Sequence, residues 1–127
     1  MDYKKINHGM KIDLPLEWYF KCINIFEKKF KDPFFVILSD DKVVFENFKD
    51  KNKFYCSINT FEIDFCLMSL CDGGILSASS FSWWGAWFSK KNNNANYFIG
   101  PNYWMGFEKK KWFPKFIEAK FINYVDV

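Results

Sequence analysis

The sequence contains no arginine: all 18 of its basic residues are lysine. Lysine meets a phosphate as a point charge and cannot offer the planar, two-donor fork of a guanidinium. With a net charge of only +3, dedicated nucleic-acid binding is disfavoured, even though 23% of the residues are aromatic. Histidine occurs once, as His8, with no carboxylate or cysteine at triad spacing, so it reads as a surface residue rather than a catalytic base. The four cysteines (Cys22, Cys56, Cys66 and Cys71) form no Cys-x-x-Cys pair. That argues against structural zinc and against a disulfide framework, and predicts reduced, mostly buried thiols in a cytoplasmic protein. Long apolar runs are missing too: nothing approaches the roughly 18–20 residues of a membrane span. The opening Met1-Asp2-Tyr3-Lys4-Lys5 lacks the apolar core of a signal peptide.

What is present is a large apolar content. Of 127 residues, 50% are hydrophobic and 17 are phenylalanine, which excludes intrinsic disorder. The length predicts a single domain, residues 1–127. The lysine runs Lys28-Lys29 and Lys109-Lys110-Lys111 read as solvated faces or as a patch near anionic lipid.

Apolar residues at Leu16, Tyr19, Phe20, Ile23, Phe26 and Phe30 have helical spacing, with Pro15 tolerated in the first turn and Asp32-Pro33 as the stop. The continuous run Phe34 to Leu38 suits a parallel strand covered on both faces. The alternation then repeats: a short helix over 41–48, a strand over 53–57, a helix from Phe61 to Leu70 capped by Asn59 or Thr60. A third strand is expected over 74–78, an apolar helix over 83–88 ended by the polar stretch 90–96, and a fourth strand over 97–100. Residues 112–127 read as a closing helix with a final extended piece. Strands recurring about every 20 residues with helices between them predict an α/β fold: one Rossmann-like parallel sheet flanked by helices.

In such sheets ligands bind beyond the carboxyl ends of the strands. Two polar clusters fall there. Ser39, Asp40 and Asp41 follow the first strand; the two acids suit a metal, sugar hydroxyls or the cap of the next helix. Ser77, Ser79, Ser80 and Ser82 follow the third strand, where hydroxyls, unpaired N–H groups and a helix dipole make an anion site for a diphosphate. Plain N-capping by Ser80 or Ser82 explains the same residues. Asp64 fits either a solvated helix face or a cleft where it accepts N–H donors from a purine edge. Trp83 and Trp84 read as packing residues before they read as sugar platforms.

Four strings stand in order: Phe35-Val36-Ile37-Leu38-Ser39-Asp40-Asp41, Asp64-Phe65-Cys66-Leu67-Met68-Ser69-Leu70-Cys71, Ser79-Ser80-Phe81-Ser82-Trp83-Trp84-Gly85-Ala86-Trp87 and Ile99-Gly100-Pro101-Asn102-Tyr103-Trp104. Together they resemble the C-terminal half of glycosyltransferase family 11, the α-1,2-fucosyltransferases of bacterial surface polysaccharide synthesis. The resemblance implies a GT-B-like enzyme that transfers fucose from GDP-fucose to a galactoside with inversion and without a metal or other cofactor. It implies that Ser79, Ser80, Phe81 and Ser82 hold the diphosphate, that Asp64 contacts guanine, and that Ser39, Asp40 and Asp41 line the nucleotide-sugar cleft. Its implied partners are a GDP-sugar and a galactose-containing acceptor glycan, with no nucleic acid. The implied location is the cytoplasm, with peripheral contact to the inner membrane. Family members also carry a His-x-Arg-Arg-Gly-Asp-Tyr motif, of which only Asp2-Tyr3 has a counterpart, Met1 standing where the glycine would be. The expectation is therefore a truncated or separately translated C-terminal half, whose alternative role is a non-catalytic nucleotide-binding remnant.

Overall fold

The computed structural model describes residues 13–93 and 97–127; His8 and the Asp2-Tyr3 pair lie outside them. Helix α1 (Leu16–Lys29) forms where the apolar spacing places it. Pro15 supplies the extended residue before the first turn, while Glu17 at the start and Lys28 and Lys29 at the end complement the helix dipole. Its buried stripe is Trp18, Cys22, Ile23 and Phe26.

Two parallel ladders lie against that stripe. Strands β1 (Phe35–Ile37) and β2 (Phe54–Cys56) pair in register from Phe35 opposite Phe54. Strands β3 (Gly73–Ile75), β4 (Tyr97–Pro101) and β5 (Ile122–Val125) form the second ladder in that order. The expected single sheet is thus divided into hydrogen-bonded groups of two and three strands. Helix α2 (Phe61–Ser69) connects them, and α3 (Ser80–Asn93) crosses from β3 to β4.

The strand directions follow from which side chains meet. The Phe26 ring touches Phe35 at 6.3 Å and Tyr97 at 5.3 Å, and lies beside Gly73, so the starts of β1, β3 and β4 converge on the last turns of α1. At the other end of α1, the Trp18 indole N–H donates to the Val125 carbonyl at 3.1 Å. The parallel strands β3, β4 and β5 therefore run antiparallel to α1. Phe35 and Ile75 pack on the same helix, so α1 is a packing surface common to both ladders.

Side chains alternate across the second ladder as a doubly covered sheet requires. Ile75 and Ile99 face α1, in a cluster with Trp18, Cys22 and Phe26. Leu76 and Phe98 face α3, in a cluster with Ala78, Ala86, Trp104 and Ile122. Gly85 lets α3 sit directly against α2, since a Cβ there would overlap Met68.

Several expectations need correction. The helix expected over 41–48 is a 3-10 segment, Lys42–Asn47. Helix α3 begins at Ser80 and extends to Asn93, so Ser80, Phe81 and Ser82 occupy its first turn instead of a preceding loop. Thr60 stands at the cap position of α2 without a side-chain cap bond. No helix closes the chain: residues 112–121 form turns leading into β5. Pro114, the Trp104–Phe113 bridge and the Ala119 N–H bond to the Tyr124 hydroxyl hold that stretch in irregular form. Of the four free thiols only Cys22 is fully buried, and Cys66 is exposed. No helix among the described residues is long and apolar enough to cross a membrane.

Two outcomes test this packing. A Cβ at Gly73 would stand 2.5 Å from the Tyr97 carbonyl oxygen, whereas one at Gly74 meets only side-chain atoms at 3.5 Å and beyond. Urea unfolding should therefore show Gly73→Ala destabilised by about 1–3 kcal/mol and Gly74→Ala within about 0.5 kcal/mol of the parent. Burial pushes the Cys22 thiol up to about 12. The unfolded chain loses this proton near the ordinary thiol range while the folded chain keeps it, so stability should fall as pH rises from about 9 toward 12. Cys22→Ala should flatten that slope in a pH series of unfolding midpoints; an unchanged slope would contradict the assignment.

Candidate functional site

Among the described residues the strands form two parallel groups, β1 with β2 and β3 with β4 and β5. The region beyond the carboxyl ends of the strands is where open α/β sheets take ligands. Ser39 to Asp41 leave the end of β1, and Ser77 to Ser82 leave the end of β3, so each predicted cluster stands at the carboxyl end of a strand.

The serine cluster divides into two parts. Ser79 caps α3: its hydroxyl accepts the Ser82 N–H at 3.2 Å, and its carbonyl accepts the Trp83 N–H at 3.1 Å. The Ser82 hydroxyl turns inward to the Ser77 carbonyl at 2.6 Å and lies 3.1 Å from the Ser79 hydroxyl, which in turn meets that of Ser77. Ser79 and Ser82 are buried, while Ser80 is exposed. The cap is thus Ser79, not Ser80 or Ser82, and Ser82 braces the turn. What the turn presents outward is the Ser80 hydroxyl with the N–H groups of Ser80 and Phe81, which have no intrahelical acceptor at the first two helical positions. Those donors and the positive end of a 14-residue helix suit an anion. Phe81 contributes its backbone alone, because its ring packs on Phe61 and Phe65.

At the other flank, the Ser39 hydroxyl accepts the Asp41 N–H at 3.1 Å, and the Asp41 carboxylate accepts the Val43 N–H at 3.0 Å. Asp41 therefore caps the 3-10 segment, and Asp40 is exposed beside it. Asp64 does not lie on a solvated helix face. It is 7% exposed and accepts a hydrogen bond from the fully buried Ser57 hydroxyl. That bond joins the end of β2 to the first turn of α2, and Asn59 adds an N–H to the same hydroxyl at 3.3 Å. Trp83 packs on Phe121 in the core, with its indole nitrogen buried, whereas Trp84 is 49% exposed.

Sequence reasoning passed over Ser57 and Lys42. The Lys42 ammonium donates to the Ser39 carbonyl at 3.1 Å and to the Ser57 carbonyl at 3.4 Å, which puts a cation at the carboxyl ends of β1 and β2. The rule that singled out Ser39 and Ser77, a small hydroxyl residue ending a strand, would have found Ser57. Lys42 follows Asp41 directly, but attention to the acid pair hid it.

Comparison with known proteins adds three findings. The family model described as Glycosyl transferase family 11 matches residues 13–117. The chain is 30% identical over 116 residues to "O-antigen biosynthesis glycosyltransferase WbnK" of Escherichia coli, an alignment covering 86% of this chain and 38% of that protein. It is 32% identical over 110 residues to an Escherichia coli "Alpha-1,2-colitosyltransferase", covering 82% of this chain and 36% of that one. The chain thus spans little more than a third of the length of these relatives. No solved structure matches it.

Removing the Asp64 carboxylate leaves the Ser57 hydroxyl buried without its acceptor, which costs about 1–3 kcal/mol. Asp64→Ala should lower the thermal midpoint accordingly, while Ser80→Ala, whose side chain is exposed, should change it little. Equal effects from the two substitutions would contradict the geometry described.

Proposed function

This chain belongs to glycosyltransferase family 11, and from that membership we propose that it is the donor-holding part of an enzyme that transfers fucose from a GDP-sugar to a hydroxyl of a galactose-containing glycan, with inversion, in the synthesis of surface polysaccharide such as O-antigen. The observation that carries the reading is the first turn of α3, where the Ser80 hydroxyl and the N–H groups of Ser80 and Phe81 face outward from a helix capped by Ser79. A diphosphate seated there would gain two backbone donors, one hydroxyl and the helix dipole, none of which requires arginine. Lys42 supplies positive charge at the neighbouring strand ends.

Chemically, transfer builds negative charge on the departing diphosphate, and preorganised donors at that position lower the barrier. In this reading Asp40 and Asp41 offer acceptors to hydroxyls of the donor sugar or ribose. Asp64 works by holding Ser57 and the start of α2; its bond to Ser57 leaves guanine recognition to its second oxygen. No metal is part of the proposal.

A second reading of the transferred sugar is favoured by one relative, whose name gives colitose in α-1,2 linkage. The competing role, a nucleotide-binding module without transfer, differs in activity and not in GDP binding.

Calorimetric titration with GDP tests the donor site, with Ser80→Pro as the variant. Proline fits the first helical position and removes both the hydroxyl and one N–H without breaking the helix. GDP affinity is expected to fall by roughly a hundredfold or more, as loss of two hydrogen bonds to a charged group at about 1.5–3 kcal/mol each implies, with the circular dichroism unchanged. Unaltered affinity in Ser80→Pro would remove the α3 turn as the diphosphate site. Absence of binding in the folded parent at about 1 mM GDP, a weak-affinity limit, would remove the donor-holding role altogether.

A further inference from the structure

The connection from β4 to β5 concentrates charge in a way the donor site does not explain. Between Phe107 and Phe121 stand five lysines (Lys109, Lys110, Lys111, Lys115 and Lys120) and two acids, Glu108 and Glu118. Five minus two gives +3, which equals the net charge of the whole chain. All five lysines are exposed. Among them Phe116 stands 95% exposed, the most exposed of the large hydrophobic side chains described, with Pro114 exposed beside it.

This is a held surface and not a loose loop. Trp112 turns inward onto Tyr103 at 5.7 Å and Tyr124 at 4.8 Å. Phe113 bridges to Trp104, and its carbonyl accepts the Met105 N–H at 3.1 Å. Gly106 closes the turn by accepting the N–H groups of Lys109 and Lys111, at a position where a Cβ would overlap the Lys111 backbone. Ile117 and Ala119 pack on the core below. The inward residues fix the segment, and every lysine and the one unsupported phenyl ring remain outside.

We infer that residues 107–120 are a docking surface for an anionic lipid bilayer, with the lysines facing the headgroups and Phe116 entering the boundary of the acyl chains. Charge complementarity selects this occupant. Several lysines act additively on a negative surface without needing fixed geometry, and an exposed aromatic ring gains by leaving water at the interface. Nucleic acid would call for groove-matched donors and forked contacts, which lysine alone supplies poorly. The segment begins where β4 ends, on the same carboxyl edge as the α3 turn. Docking would therefore bring that edge toward the membrane, where a lipid-borne acceptor could be met. The inference stands independently of the donor-site reading.

Co-sedimentation of the full chain with vesicles tests it. The parent should bind vesicles of phosphatidylglycerol and phosphatidylcholine, release them as salt rises, and ignore pure phosphatidylcholine. Lys109→Glu/Lys110→Glu/Lys111→Glu and, separately, Phe116→Ser should each weaken binding by about tenfold or more. Both variants change exposed groups and should keep the parent's thermal midpoint and its GDP response, so failure here is distinguishable from failure of the donor site. Equal binding to neutral vesicles, unaltered binding by the triple variant, or tighter retention on duplex DNA than on the anionic vesicles would overturn the inference.

Discussion

Everything at the candidate site depends on one packing contact, the seating of Phe26 against the starts of β1, β3 and β4. Among the described residues the two ladders are not paired with each other, and side chains of α1 pack on strands of both. Because this helix grips the amino ends of the strands on one side and Val125 on the other, it fixes their common direction. It therefore also fixes which edge of the molecule gathers the strand ends.

At that edge polar side chains are used twice. Ser79 and Ser82 spend their hydrogen bonds on the turn itself, and Asp64 spends one on Ser57. A buried hydroxyl or carboxylate without a partner is costly, so these groups settle the local structure first and leave their neighbours to face outward. Ser80 and Asp40 are exposed beside these committed groups, whereas Lys42 spends two donors on the Ser39 and Ser57 carbonyls. A residue's rank as a site candidate thus depends on whether its bonds are already committed inside the fold.

The chain's cations have a similar division. Lys28 and Lys29 close α1, and Lys29 lies over the Tyr97 ring at 4.5 Å, whereas the lysines of the β4–β5 connection are grouped on an outward surface. With arginine absent, forked recognition of phosphate is unavailable, and oriented backbone N–H groups take on greater weight.

The sequence by itself determined α1, all of the first four strands to within a few residues, and the strand-end position of both polar clusters. Helical spacing at Leu16 to Phe30 and the apolar run Phe34 to Leu38 are local patterns that burial on one or both faces imposes directly. The string from Ser79 to Trp87 was specific enough to point to the family. Tertiary structure alone decided the rest. The start of α3 moved to Ser80 because capping by Ser79 is a bond between the side chain and a backbone N–H three residues on, which composition cannot assign among four serines. The closing segment lost its expected helix to bonds outside the helical ladder, from Phe113 to Trp104 and from Ala119 to the Tyr124 hydroxyl. Asp64 went inward because Ser57, on another element, offered it a donor. Periodicity reports which face of an element is buried, but which polar group is committed depends on what the fold brings opposite it.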